Sequence, residues 1–378
     1  MASDPQPPPA VSIVLPHREW FGPESAGAVA MVVRRIAAGP SRYPVLVAGP
    51  PFRGTSFPGI EFLPISVPAW LPLTRRQAYS LMLARALARQ PPGLIEVHNK
   101  PDIALALARL FPRRPVSLFL HNDPRAMRGA RAPRARARLL HRLAAVVTVS
   151  DFLRRALLDG VAAPRARAPL VIHNALDLAA LPPPLPADQR ERVILFAGRV
   201  VPDKAPDAFV AACARALPQL PGWRAEIIGA DGFWADAPDS AFIGALRPAA
   251  AQAGVAMLGF RPHAEVLQAM ARAAIVVVPS RWQEPFGLTA LEAMGCGAAL
   301  ACSGRGGLAE VADGACLPID PDDAESFAEG LVRLACDPGL RAGLSAAGQR
   351  RARERFAATD AAARLDDLRD RILSERAG

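Results

Sequence analysis

Lysine is nearly absent. Among the 45 lysine and arginine residues of this 378-residue chain, only Lys100 and Lys204 are lysines. Such a skew reflects coding bias, so the formal net charge of +10 does not by itself select a partner. It does single out the two lysines that remain. Aromatic residues make up only 6%, and there is neither zinc-finger spacing nor an aromatic-rich RNA-binding signature. Those absences argue against nucleic acid as a partner. The five cysteines (Cys213, Cys296, Cys302, Cys316, Cys336) contain no C-x-x-C pair. An odd count without metal-ligand spacing implies free thiols in a reducing compartment, and so a cytoplasmic protein. No apolar run approaches the roughly 18 uncharged residues that a membrane-spanning helix needs. Residues 1–10, MASDPQPPPA, lack a basic start followed by an apolar stretch. They are expected to be a disordered leader rather than a secretory signal.

What is present is alternation. The chain is 51% apolar and long enough for two domains of ordinary size. Short β-branched runs such as VSIVLP (11–16), YPVLVAG (43–49), GLIEVHN (93–99), VSLFLHND (116–123), AAVVTVS (144–150) and PLVIHNAL (169–176) are separated by helical patterns. After the proline-rich LPPPLPADQRER (181–192) the alternation restarts at VILFAG (193–198), AEIIGA (225–230), VAMLGF (255–260), AIVVVPS (274–280) and AALAC (298–302). Continuous apolar strands alternating with helices predict parallel sheets covered on both faces. The expected fold class is therefore α/β, with two doubly wound domains facing across a cleft. Their expected limits are 11–182 and 193–355, with a linker at 183–192. A C-terminal helix at 356–378 is expected to pack back on the first domain. In such sheets ligands bind outside the carboxyl ends of the strands.

Two stretches carry chemistry. In SRWQEPFGLTALEAMG, Pro285 keeps Glu284 out of the helix, which must begin near 286–288. Glu292 then lies one to two turns inside it. The free N–H groups of Gly287 and Leu288 would present a helix N-terminus to an anion, and Gly287 lets that anion approach the backbone. The bland alternative is a capping acid and an exposed one. In LFAGRVVPDKAPDAF, a strand leads through Gly198 and Arg199 to Lys204 and a helix. Such a turn suits a phosphate clamp, Arg acting as a fork and Lys as a point charge. Two solvated cations are the alternative.

Taken in order, these stretches resemble the retaining glycosyltransferases of family 4, which have the GT-B architecture. The matching pattern is GRVVPDK followed by EPFGLTALE, the family's Glu–seven residues–Glu element. VTVSDFLRRAL (148–157), VIHNALD (171–177), LGFRPHAEVLQAMARAAIVVVPS (258–280) and GRGGLAEVADG (304–314) match in the same order. The resemblance implies that Arg199 and Lys204 hold the donor diphosphate, that Glu284 contacts sugar hydroxyls, and that Glu292 contacts the ribose. Gly198, Phe260, Phe286, Gly287 and Leu288 complete the implied donor site, and the turn around Ser25–Gly27 would border the diphosphate. His121 matches the family's active-site histidine, and His98 with Asn99 would lie on the acceptor side. Implied too are a nucleoside-diphosphate sugar (UDP- or GDP-linked) as donor and a glycan or lipid-linked acceptor, in cell-surface polysaccharide or lipopolysaccharide assembly. Retention of configuration and chemistry without metal or cofactor follow likewise. Asp320-x-Asp322 is expected to form a helix-capping cluster rather than a metal site. Ala205, Ala175, Leu176 and Ala298 depart from the pattern without removing a charged ligand. A nucleotide-sugar epimerase and a non-catalytic sugar-nucleotide-binding subunit are the alternatives.

The arginine run RAMRGARAPRARARLLHR (125–142) spaces Arg128, Arg131, Arg134, Arg138 and Arg142 for one helical face, with Pro133 starting the continuous helix. A solvated basic face is one reading. Docking to an anionic membrane surface through Arg134, Arg138 and Arg142 is the other.

Overall fold

The computed structural model describes residues 10–23, 26–162, 167–232 and 239–375. The chain forms two compact units, one running to Ala175 and including the chain from Ala358 onward, the other spanning Leu176 to Ala357.

The first unit runs β1 (Ala10–Val14), α1 (Ala28–Ala38), β2 (Val45–Gly49), β3 (Glu61–Pro64), α2 (Arg75–Leu87), β4 (Gly93–His98) and α3 (Pro101–Leu110). It continues with β5 (Val116–Leu120), α4 (Pro133–Arg142), β6 (Ala145–Thr148), α5 (Asp151–Leu158) and β7 (Leu170–Val171). Its seven strands pair in parallel in the order β3-β2-β1-β4-β5-β6-β7. Strands β4 and β5 are buried along their whole length, as expected where helices cover both faces.

The second unit runs β8 (Glu191–Ala197), α6 (Pro206–Ala216), β9 (Arg224–Ile228), α7 (Ala241–Gln252), β10 (Val255–Met257), α8 (His263–Arg272) and β11 (Ala273–Val278). Then come α9 (Leu288–Gly295), β12 (Ala299–Cys302), α10 (Leu308–Ala312), β13 (Cys316–Pro318), α11 (Ala324–Cys336) and α12 (Pro338–Phe356). Six parallel strands stand in the order β10-β9-β8-β11-β12-β13. Both sheets reverse strand order once, between β1 and β4 and between β8 and β11. Those reversals are where a doubly wound sheet opens a crevice.

The last helix, α13 (Ala358–Ser374), belongs to the first unit. Arg369, 1% exposed, donates through Nε and Nη2 to both carboxylate oxygens of Glu96 on β4, each at 2.9 Å. Asp366 of the same helix accepts from the Arg42 N–H at 2.7 Å.

Some expected limits move. Ala10 already belongs to β1, and residues 1–9 lie outside the described residues. The units divide at Ala175/Leu176, before the stretch read as a linker. That stretch is bound to the second unit: Arg190 is buried and donates to the carbonyls of Ala271 and Cys296, both at 2.7 Å. The strand expected at 169–176 shortens to β7. Strands β3 and β13 were not anticipated, being edge strands of four and three residues with no fully buried position.

Candidate functional site

At the switch point of the second unit, β8 ends at Ala197 and leads through Gly198 and Arg199 into a single turn, Pro202–Lys204. Ala205 follows in left-handed backbone (φ 56°, ψ 43°). That conformation costs any residue with a Cβ about 1–2 kcal/mol, which explains why the resembling pattern has glycine there. On the neighbouring strand β11, the chain leaves at Val278 and passes through Ser280 to Glu284. The Arg281 N–H donates to Asp203 O at 2.9 Å and joins the two loops.

This joining brings Lys204 and Glu284 together. The Lys204 ammonium pairs with Glu284 Oε1, which also accepts from Ser280 Oγ at 2.5 Å. Glu284 is 5% exposed. Its backbone is clamped by the GRGG stretch: Glu284 N–H donates to Arg305 O at 3.2 Å, and Gly307 N–H to Glu284 O at 2.6 Å. A Cβ on Gly306 (φ 68°) would stand 2.5 Å from Glu284 O, so only glycine permits this approach.

Helix α9 then starts at Leu288 behind Gly287, whose φ of 109° no side chain favours and whose Cβ would lie 2.9 Å from Leu308 Cδ1. Its N-cap, Gly287, has no side chain with which to cap it, and Gly287 and Leu288 are partly exposed. Its first N–H groups and dipole are therefore available to an anion. Glu292, 7% exposed, lies within hydrogen-bond distance of His263 Nε2, 3.0 Å away at the start of α8. Phe286 is 2% exposed, and its ring packs edge-on against Phe356 at 5.7 Å. Arg199 is exposed and donates to Asp231 O at 3.4 Å; Phe260 is half-buried after β10. Cations, two buried carboxylates and an uncapped helix N-terminus thus converge at one sheet reversal. Such an arrangement can hold phosphate oxygens and hydroxyl groups at once.

Asp323 caps α11 by accepting from the N–H groups of Glu325 and Ser326. Asp320 and Asp322 pair with Arg305 at 3.0 and 2.6 Å, and Asp322 also with Arg281 at 3.1 Å.

In the first unit, His98 ends β4 and His121 follows β5, with His98 Nδ1 and His121 Nε2 2.8 Å apart. His98 also stacks on Phe119, ring centres 4.8 Å apart. The His121 N–H donates to Asn99 Oδ1 at 2.9 Å, and Asn99 is left-handed (φ 58°). Burial lowers the basicity of both rings, His121 to about 4, so both are neutral at pH 7. His98 Nε2 and His121 Nδ1 are buried and have no hydrogen-bond partner among the described residues. His121 also borders a mainly apolar cavity beside Phe119 and Ile172. Of the expected glycine turn, Ser25 lies outside the described residues. Beside Gly27, the N-terminus of α1 carries Glu19, whose Oε1 accepts the Ala30 N–H at 2.9 Å.

The arginine run also divides. Helix α4 begins at Pro133, and Arg134, Arg138, His141 and Arg142 face solvent. Arg136, 2% exposed, turns inward and donates to the carbonyls of Leu157, Ala130 and Arg131. Ser280, His263, Glu19 and the GRGG stretch were not singled out as site residues. Glu19, His263 and the GRGG stretch take their places through partners 11 to 29 positions away or on another loop, and Ser280 through Glu284 four residues on.

Residues 179–351 match the family described as glycosyl transferases group 1, and residues 27–180 match glycosyltransferase family 4. The chain is 31% identical over 320 residues to the D-inositol 3-phosphate glycosyltransferase of Frankia alni, covering 76% of this chain and 75% of that protein. It is 30% identical over 303 residues to an exopolysaccharide phosphotransferase of Streptomyces coelicolor, covering 74% of this chain but only 29% of that longer relative. Among solved structures, Anabaena HepE in complex with UDP and glucose superposes with TM-score 0.75 at 20% identity, over 94% of this chain and 98% of that one. Sucrose-phosphate synthase of Thermosynechococcus elongatus gives 0.76 at 19% identity, over 97% and 100%. The fold is thus that of a GT-B glycosyltransferase. Within that class, the chain belongs to glycosyltransferase family 4.

Proposed function

We propose that the chain is a retaining, metal-independent glycosyltransferase using a UDP- or GDP-linked sugar. It transfers that sugar to a glycan or lipid-linked acceptor in cell-surface polysaccharide assembly. The observation that carries this reading is the Lys204–Glu284–Ser280 contact beside the uncapped N-terminus of α9. A diphosphate draws the ammonium of Lys204 and the guanidinium of Arg199 onto its oxygens and frees Glu284 for sugar hydroxyls. Glu292, held by His263, takes the ribose. As the anomeric bond breaks, negative charge grows on the departing diphosphate, where two cations and the α9 N–H groups stabilise it. His121, neutral and anchored by His98 and Asn99, is the residue of the first unit that would stand beside the transferred sugar. The HepE complexes with UDP support a nucleotide donor by analogy.

No helix is long and apolar enough to cross a membrane among the described residues. In this reading the chain works in the cytoplasm, and the exposed Arg134, Arg138 and Arg142 dock it on the anionic inner face of the membrane. Titration calorimetry with UDP and GDP tests the donor site. One of the two is expected to bind, and Lys204→Ala is expected to weaken it about tenfold or more. Unchanged affinity in that variant would overturn the site.

A further inference from the structure

The five thiols are not alike. Cys213 and Cys296 are buried, and burial raises both above the usual range, so neither ionises near neutral pH. Cys336 is exposed at the end of α11. Cys302 and Cys316 form a pair, with Cys302 Sγ donating to Cys316 Sγ at 3.2 Å. The sheet makes this pair. Leu300 of β12 stands in register with Cys316 of β13, and Cys302 lies two residues on, so both side chains leave the same face. Cys302 is buried, whereas Cys316 is half-buried on a three-residue edge strand. The bond from Cys302 makes Cys316 the more acidic thiol, and the same bond, together with burial, holds the Cys302 proton in place. A partly exposed, more acidic thiol thus touches a buried one, the arrangement in which the first meets an oxidant and the second completes a bridge.

The two cysteines bracket residues 303–315, which contain the GRGG stretch and α10. A backbone hydrogen bond from Gly304 reaches the Cys302 sulfur, and Ser303 Oγ donates to Ser280 O at 2.8 Å. Arg305 and Gly307 hold the carbonyl and N–H of Glu284 in place. Bridged sulfurs stand about 2 Å apart, so joining these two draws them about 1 Å together and disturbs the bond from Gly304 at the root of the GRGG stretch. We propose that Cys302 and Cys316 are a redox-active pair, oxidised to a disulfide by a low-molecular-weight disulfide, and that the bridge loosens the GRGG clamp on Glu284. The Cys316 thiolate attacks one sulfur of the small disulfide and expels the other half as a thiolate. Cys302, giving its proton to that thiolate, attacks the Cys316 sulfur of the mixed disulfide. The second half leaves as a thiolate and takes up the proton that Cys316 had released. Two cysteine thiols are oxidised to one disulfide, and the small disulfide is reduced to two thiols. The effect on activity rests on the glycosyltransferase reading, since Glu284 belongs to the donor site; the bridge itself does not.

Oxidised glutathione is the oxidant, and the full chain carrying Cys336→Ser is the parent. Mass spectrometry of its tryptic digest is expected to show peptides 282–305 and 306–333 joined with no glutathione retained, and dithiothreitol to part them. Cys302→Ala is expected to stop at glutathione held on Cys316, and Cys316→Ser to leave Cys302 unmodified. Amide hydrogen exchange at Glu284 and Gly307 is expected to quicken about tenfold or more on bridging. UDP or GDP, whichever the reduced chain binds, is expected to bind the bridged chain about tenfold more weakly by calorimetry. Glutathione retained on Cys316 of the parent overturns the proposal, as does a bridge that leaves amide exchange or nucleotide affinity unchanged. Failure of the donor reading is a separate result, namely unchanged nucleotide affinity in reduced Lys204→Ala. If the reduced chain binds neither nucleotide, the bridge and the amide exchange still decide the proposal.

Discussion

Replacing one or the other partner of the Lys204–Glu284 pair should have unequal effects on stability. Glu284 is 5% exposed, whereas the Lys204 side chain is 29% exposed. Lys204→Met leaves a carboxylate held out of water with the Ser280 hydroxyl still donating to it. A fully uncompensated buried charge costs about 3–5 kcal/mol, and a hydrogen bond to a charged group recovers about 1.5–3 kcal/mol. The expected loss is therefore about 2 kcal/mol. Glu284→Gln leaves an ammonium that can turn to water and an amide that still accepts from Ser280, so about 0.5 kcal/mol is expected. The double variant should fall short of the sum by about 1 kcal/mol, because one contact is lost only once. Scanning calorimetry resolving separate transitions for the two units is the assay, and only the second unit's transition should move. A loss in Glu284→Gln equal to or above that in Lys204→Met would refute the reasoning. Transfer activity should fall in both, by about 10²–10³-fold for Lys204→Met.

Three further outcomes follow from other contacts. Unfolded imidazole takes up a proton as pH falls through 6.5, whereas folded His121 resists until about 4 and burial lowers His98 as well. The first unit should therefore lose stability between those values, by about 3 kcal/mol for His121, and His121→Gln should flatten a melting-temperature profile against pH. Arg369→Met strands the buried Glu96 carboxylate and should destabilise the first unit by about 3–5 kcal/mol in chemical denaturation, with Glu96→Gln added to it recovering part of the loss. Gly287→Ala meets both an unfavourable φ and Leu308, so a loss of about 1–3 kcal/mol is expected, with weakened nucleotide binding by calorimetry.

Much of the fold was legible because its signals are local. Continuous apolar strands between helices announced two parallel sheets, Pro285 set the start of α9, Pro133 set that of α4, and the Asp320–Asp323 segment carried a cap for α11. Strands β3 and β13 escaped because three or four half-exposed residues at a sheet edge leave no periodicity to read. The division at Ala175/Leu176 escaped because a proline-rich stretch looks like a linker until Arg190 is seen fastening it to carbonyls of the second unit.

The site divides in the same way. Residue types and spacing marked Arg199 with Lys204, and Glu284 with Glu292, as two separate candidate stretches, and only the resemblance to family 4 grouped the four as a set. That Lys204 holds Glu284, that His263 meets Glu292 and that Glu19 occupies the start of α1 depends on contacts between separate elements. Arg369 reaches Glu96 across 273 positions of chain. No local pattern encodes such partners, since they are chosen by strand order and register. Buried charges then settle on whichever opposite charge the packing brings near, because leaving them unpaired out of water costs more than any local preference supplies.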